Sequence, residues 1–160
     1  DASTLGRQSL AIFERLATDE RGKALAQRNL GWIATALTEY ATAREWLDSS
    51  LALYRRLADR EGVASIMNNL ALISYFQADY TRASELVVEA LEIFFELVDF
   101  AGMAESIEIL SGCAGYLGNG RGAARGFGVA EVLRKSVRTP HFPSQRQTYC
   151  SMLAGRPPGC

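Results

Sequence analysis

Apolar residues recur at helical spacing on both sides of a short polar turn in the middle of the chain. Leu70 and Ala71 lie in the segment before this turn, and Leu86 and Val87 lie in the segment after it. Residues that recur three and four positions apart fall on one face of a helix. The pattern therefore predicts an amphipathic helical hairpin over residues 62–98, with its turn at residues 77–80.

The same pattern recurs forty residues earlier and forty residues later. Leucine and alanine recur at matched positions in the three copies: Leu30, Leu70 and Leu110, and Ala43, Ala83 and Ala123. A fixed period of this length is typical of a solenoid. One hairpin cannot bury its own apolar face, so neighbouring hairpins must stack on it. The sequence therefore predicts an all-α solenoid of antiparallel helix pairs.

The repeat domain is predicted to cover residues 1–137. Its predicted helices are 3–17, 23–37, 40–58, 62–77, 80–98, 102–117 and 120–136. They form a partial repeat at 3–17 and full repeats at 23–58, 62–98 and 102–136. Asp79 and Asn119 are suitable N-caps, and Gly22, Gly62 and Gly102 are expected to break the connections between repeats. The prolines after residue 137 predict a poorly structured tail at 138–160.

Small residues are expected where the two helices of a hairpin cross. They are Gly31, Ala71 and Ser111 on the first helix, and Ala43, Ala83 and Ala123 on the second. This order of small and large residues resembles the tetratricopeptide repeat, in the longer form found in kinesin light chains and large bacterial regulators. The resemblance implies a right-handed superhelix with the first helix of each repeat on its concave side. A generic helical array such as HEAT shares the period and is the alternative.

The resemblance also implies a groove that binds an extended peptide or protein segment. The family's groove positions correspond here to Arg28, Asn29, Trp32, Thr35, Asn68, Asn69, Leu72, Tyr75, Glu105 and Glu108. Asn29 and Asn69 match asparagines that bind a peptide backbone, since an amide has both a donor and an acceptor. Trp32 and Tyr75 are either aromatic anchors in this groove or packing residues between repeats.

A second resemblance covers residues 121–134. They look like the final repeat of large bacterial ATP-dependent transcription regulators, often with a LuxR-type DNA-binding domain, in which the repeats act as a sensor. The implied function is a non-catalytic scaffold of a signalling regulator, whose partner is a protein, a peptide or another domain of that regulator. A stand-alone adaptor, like a co-chaperone, is the alternative, and a hydrolase or transferase is a third possibility.

Charge is divided unevenly along the chain. Residues 1–120 hold 10 basic and 17 acidic residues, a net charge of −7, whereas residues 121–160 hold 7 basic residues and 1 acidic residue, a net charge of +6. The basic end is either a contact for nucleic acid or for the acidic repeats, or an ordinary solvated terminus. No aromatic-rich groove or helix-turn-helix accompanies the charge, so we do not expect this segment to bind nucleic acid.

The sequence contains few residues in patterns that indicate catalysis, metal binding or phosphate binding. The single histidine, His141, lies between prolines, and the glycine-rich segment 118–122 lacks the strand and the lysine of a phosphate-binding loop. We therefore expect no catalysis, metal or cofactor. Three unpatterned cysteines fit a reducing cytoplasm, and no apolar run is long enough to span a membrane. Residues 1–4 lack the basic start and the apolar stretch of a signal peptide, so we expect none in these first residues. Because it does not begin with Met, we expect it to be a segment of a longer protein.

Overall fold

The computed structural model describes residues 19–137. Within this range the chain forms six helices, numbered here in chain order: α1 (Glu20–Ala36), α2 (Tyr40–Arg56), α3 (Arg60–Phe76), α4 (Tyr80–Glu96), α5 (Phe100–Tyr116) and α6 (Gly120–Val137). The predicted all-α solenoid is confirmed. The partial repeat at 3–17 and the tail at 138–160 lie outside the described residues.

Each helix begins twenty residues after the previous one, and every connection is three residues long. One residue of each connection has a positive φ: Thr38, Ala58, Ala78, Val98 and Gly118. In the first connection, the backbone N–H of Glu39 donates to the carbonyl oxygen of Ala34. This bond satisfies a carbonyl that the helix end would otherwise leave free. The forty-residue repeat is thus built from two units of equal length with the same kind of turn.

Aspartate or asparagine side chains cap five of the six described helices. Asp79 accepts a hydrogen bond from the backbone N–H of Arg82 at 3.0 Å, and Asn119 accepts one from Gly122 at 2.9 Å. Both predicted caps are therefore confirmed. Asp19, Asp59 and Asp99 do the same for α1, α3 and α5. Glu39 makes no such bond, and its helix begins without a side-chain cap.

Gly22, Gly62 and Gly102 do not break the connections, which corrects the sequence prediction. They lie in the first turn of α1, α3 and α5, so each of these helices begins two or three residues earlier than expected. A Cβ on Gly62 would lie 2.3 Å from the ring of Tyr54, and a Cβ on Gly102 would lie 2.3 Å from the ring of Phe94. The absence of a side chain at Gly62 and Gly102 therefore leaves room for an aromatic ring to pack on the helix backbone.

The core runs continuously through the stacked hairpins. Leu47, Leu70, Ala83, Val87 and Ile109 are all buried in it. The close helix crossings expected from the sequence are present, since a Cβ on Gly31 would lie 2.6 Å from the side chain of Leu47. Leu70 and Ala83 are buried as predicted.

Helices α1, α3 and α5 also contact one another across repeats, whereas α2, α4 and α6 do not, among the residues described. The odd-numbered helices therefore form the inner layer of the array.

Candidate functional site

The inner layer exposes a small set of the predicted groove side chains. Asn29 and Trp32 of α1 are exposed, while Arg28, Asn69, Leu72 and Glu105 are partly exposed. We call these six residues the concave surface. Trp32 is 36% exposed, so its ring is accessible to a ligand in the free protein. Leu72 is packed against the core on one side.

The two asparagines of the concave surface occupy the same register of α1 and α3 but differ in their bonding. The Nδ2 of Asn69 donates to the carbonyl oxygen of Ser65, one turn earlier, at 3.1 Å. This leaves its Oδ1 as an acceptor. Asn29 is exposed, and its amide can both donate and accept. Thr35 is buried, and its hydroxyl donates to the carbonyl oxygen of Gly31 at 2.8 Å.

Besides Thr35, three more predicted groove residues lie in the interior, which corrects the expectation that these four face solvent. Asn68 is fully buried, and its Oδ1 accepts a hydrogen bond from the Ser106 hydroxyl at 3.0 Å. Tyr75 is 3% exposed and Glu108 is 6% exposed. The inner helices approach so closely that Asn68 and Tyr75 become contacts between repeats, to Ser106 and Tyr116 of the next repeat. Glu108 instead forms its contact within its own repeat.

Tyr75 lies at the centre of an aromatic cluster near the helix turns. Its ring centroid lies 5.5 Å from that of Tyr80 and 5.7 Å from that of Tyr116, with both pairs edge to face. Tyr80 and Tyr116 stack on each other at 4.7 Å. Burial raises the pKa of the Tyr75 hydroxyl well above its ordinary value, so it stays neutral. Of the two interpretations of Tyr75, packing between repeats fits the structure.

Glu108 is bound by Arg134 of α6, a residue that the sequence analysis did not single out. The Nε and Nη2 of Arg134 donate to the two carboxylate oxygens of Glu108 at 2.6 and 2.7 Å. Such a two-pronged pair is geometrically specific. Arg134 stands forty residues after Phe94 and eighty after Tyr54. The position is aromatic in the two earlier repeats and charged in the third. This change in the sequence was the signal that could have revealed the pair.

Charges of both signs surround the concave surface. Arg28 lines a cavity of about 380 Å³ together with Tyr54, Asp59 and Glu61. Five more residues near the starts of α1 and α3 complete its lining: Asp19, Arg21, Gly22, Leu25 and Gly62. At the other end of the layer, burial raises the pKa of the Glu105 carboxyl, Arg134 lowers it, and Glu108 raises it further. Arg28 also lowers this pKa, although it belongs to the first repeat. Charges of the first and third repeats therefore interact electrostatically across the inner layer.

The structure of residues 19–137 bears on metal binding, on the glycine-rich segment and on membrane spans. No group of three or more histidine, cysteine, aspartate or glutamate side chains in this range could hold a metal ion. The glycines at 118–122 form the connection between α5 and α6, which fits the helix turn and not a phosphate loop. None of the described helices is long and apolar enough to cross a membrane. His141 lies outside the described residues.

Comparisons with known proteins agree with the fold. Residues 22–94 match the tetratricopeptide repeat family. The crystal structure of BtubC (BKLC) from P. vanneervenii is similar, with a TM-score of 0.63 and 24% sequence identity. The match covers 77% of this chain and 52% of that chain, so this chain spans about half the length of the structure it matches. At this identity the likeness concerns the fold alone. No curated protein matches the chain.

Proposed function

We propose that this chain is a non-catalytic scaffold that binds an extended segment of a protein on its concave surface. The family match over residues 22–94 supports a role in protein interaction. The accessible aromatic ring of Trp32 supports it as well, because tryptophan is enriched among the residues that dominate interfaces. The partner is a protein or peptide, and we propose no cofactor.

The observation that carries this proposal is the matched register of Asn29 and Asn69. They stand at the same position of α1 and α3, which contact each other. Packed helices lie about 8–10 Å apart, and an extended strand advances about 3.3 Å per residue. Two or three ligand residues would therefore bridge the two amides. The free Oδ1 of Asn69 would accept a peptide N–H, and Asn29 would bind a peptide carbonyl or N–H.

The test is the Asn29→Ala/Asn69→Ala double variant. We expect it to fold like the parent, because neither side chain is buried, and to bind about 1–3 kcal/mol more weakly through the lost hydrogen bonds. The probe is a peptide selected from a displayed library of short random sequences, titrated by fluorescence polarisation. Arg44→Ala/Glu89→Ala, at exposed positions of α2 and α4, is the matched control.

Equal affinity of parent and double variant would place the binding site elsewhere. A double variant that loses its helical circular dichroism would show that the asparagines are structural. Weakening by the control variant to the same extent would also contradict the concave surface.

We further propose that the scaffold is the sensor region of a bacterial signalling or transcriptional regulator in the cytoplasm. The support is the resemblance of residues 121–134 to the final repeat of such proteins. The coding sequence that flanks this segment is the test. A Walker motif or a helix-turn-helix there would support a regulator, and a gene without either would favour the stand-alone adaptor.

A further inference from the structure

An apolar patch lies on the surface at the connection between α4 and α5. Phe95 is 68% exposed and Val98 is 64% exposed, and Leu97 and Phe100 are exposed beside them in the chain. We call these four residues the edge patch. The corresponding residues forty positions earlier are Arg55, Leu57, Ala58 and Arg60. Since two of those four are arginines, the fold of a repeat does not require an apolar surface here. Exposed apolar patches of this kind mark interaction sites.

The helix that leads to the edge patch is acidic on its exposed side. α4 carries four exposed glutamates at helical spacing: Glu85, Glu89, Glu92 and Glu96. One of the four corresponding positions in α2 is acidic, and none in α6 is. Glu85 and Glu96 already pair with arginines, whereas Glu92 stands one turn before Phe95. Complementary charge selects partners, so the edge patch suits a basic segment that also carries apolar side chains.

The last described residue lies close to the edge patch. In the first two hairpins the start of the inner helix bonds to the end of the outer helix, through the pairs Glu20 with Arg56 and Arg60 with Glu96. The partners in both pairs are 36 residues apart. In the third hairpin the same spacing relates Phe100 to Ser136. The chain therefore leaves α6, at Val137, on the same edge of the array as Phe100.

The residues that follow have the complementary chemistry. Residues 138–160 contain three arginines and no acidic residue. Their larger apolar and aromatic residues are Phe142, Tyr149, Met152 and Leu153. Phe142 follows Val137 by five residues, which at about 3.3 Å per residue is a reach of roughly 16 Å. A segment of the same chain is also held at a high local concentration near its site, an advantage that a separate protein lacks.

We propose that residues 138–160 bind the edge patch of their own chain, with apolar and aromatic side chains against Phe95 and Phe100 and arginine beside Glu92. The basic end of the chain thereby contacts the acidic repeats, which was one of the alternatives that its charge left open. None of the edge-patch residues belongs to the concave surface. The inference therefore does not depend on the proposed function, and the two can fail separately.

The experiment measures paramagnetic broadening of backbone amide NMR signals in the full chain. Cys113 is fully buried, so a Cys160→Ser variant leaves Cys150 as the thiol that receives a nitroxide. The amide signals of residues 95–100 are compared with those of residues 115–118, at the opposite end of α5, before and after the nitroxide is reduced.

Two substitutions, each with a matched control, test the contact in this nitroxide-bearing chain. Glu92→Gln removes the charge beside the patch, and its control is Glu45→Gln, exposed on α2. Phe95→Ser removes the most exposed ring, and its control is Leu117→Ser, which is 62% exposed at the connection between α5 and α6. Circular dichroism checks the fold of every variant.

We expect the nitroxide to broaden residues 95–100 more than residues 115–118. The ratio of bound to free segment, derived from this broadening, should fall roughly two- to fivefold in Glu92→Gln and about tenfold in Phe95→Ser. The controls should leave it unchanged. No broadening at residues 95–100, or equal effects of the substitutions and their controls, would overturn the inference. A mixture of nitroxide-bearing protein and isotope-labelled protein without nitroxide should show no broadening. Broadening in that mixture would make a second copy the occupant of the patch and would also overturn the inference.

Discussion

Replacing Gly102 by alanine tests how the repeats are joined. The new Cβ would lie 2.3, 2.4 and 2.6 Å from three ring atoms of Phe94. Ordinary contacts begin near 3.4 Å, so the ring would have to retreat by more than about 1 Å. Phe94 is only 2% exposed and cannot move into solvent. Overpacking of a core costs about 1–3 kcal/mol, and this contact belongs at the upper end.

Alanine also favours the helical state over glycine by about 1 kcal/mol. The net expectation for Gly102→Ala is therefore a loss of about 2 kcal/mol of unfolding free energy. Gly128→Ala is the matched control, because nothing lies within 4 Å of the Cβ that would be added there. We expect this control to gain up to about 1 kcal/mol. Both substitutions replace glycine by alanine, yet they should change the unfolding free energy in opposite directions.

The assay is urea unfolding followed by far-ultraviolet circular dichroism. Gly102→Ala is also made in a Phe94→Ala background, where the ring is absent. If the clash is the cause, the cost of Gly102→Ala should disappear in that background, since coupled residues do not add. The same cost in both backgrounds would refute the assigned contact, and so would stabilisation by Gly102→Ala in the otherwise unchanged chain.

Two further substitutions test the charged residues of α5. Glu108→Ala leaves Arg134 without its bidentate partner in the interior, so we expect a loss of about 3–5 kcal/mol in urea unfolding; a loss no larger than that of the exposed Glu89→Ala would contradict this role. Glu105→Gln tests pH dependence. Burial raises the pKa of Glu105 above its ordinary value of 4.5, so the folded protein holds that proton more tightly than the unfolded chain does. This contribution to stability is present at low pH and is lost as the pH rises through the folded pKa. Glutamine cannot ionise, so the variant should be more stable than the parent near neutral pH, with a smaller difference below about pH 4.5. A parent and variant with parallel stability profiles would contradict the raised pKa of this carboxyl.

The architecture was readable from the sequence because its main signals are local. The spacing of apolar residues predicts helices, and recurrence at forty residues predicts stacking. Asp79 and Asn119 were identified as caps because a short polar side chain before an apolar helix has one preferred use. These features depend on residues within one turn or one repeat of each other. They needed no knowledge of how closely neighbouring repeats approach.

Burial of side chains within the inner layer could not be predicted from the sequence, because it depends on distances between helices that are far apart in the chain. The position of a residue in the repeat predicts which way its side chain points from the helix axis. It does not predict how much of that side chain stays exposed to solvent. Asn68 and Asn69 are neighbours in sequence, yet one bonds to Ser106 of the next repeat and the other faces the concave surface. Only the approach of α5 to α3 distinguishes them.

The glycines at the helix starts show how tertiary packing overrides propensity. Glycine disfavours a helix interior, and Gly62 and Gly102 were expected to break the connections between repeats, at the first residues of the predicted helices. Their actual role follows from pairs of distant positions, Tyr54 with Gly62 and Phe94 with Gly102. The register of Tyr54 and Phe94 is taken by Arg134 in α6, which reaches back to Glu108 in its own repeat. A ring at this position packs on the following repeat, whereas Arg134 bonds within its own. The chain thus uses one structural position either to pack a ring on the following repeat or to form an ion pair within a hairpin.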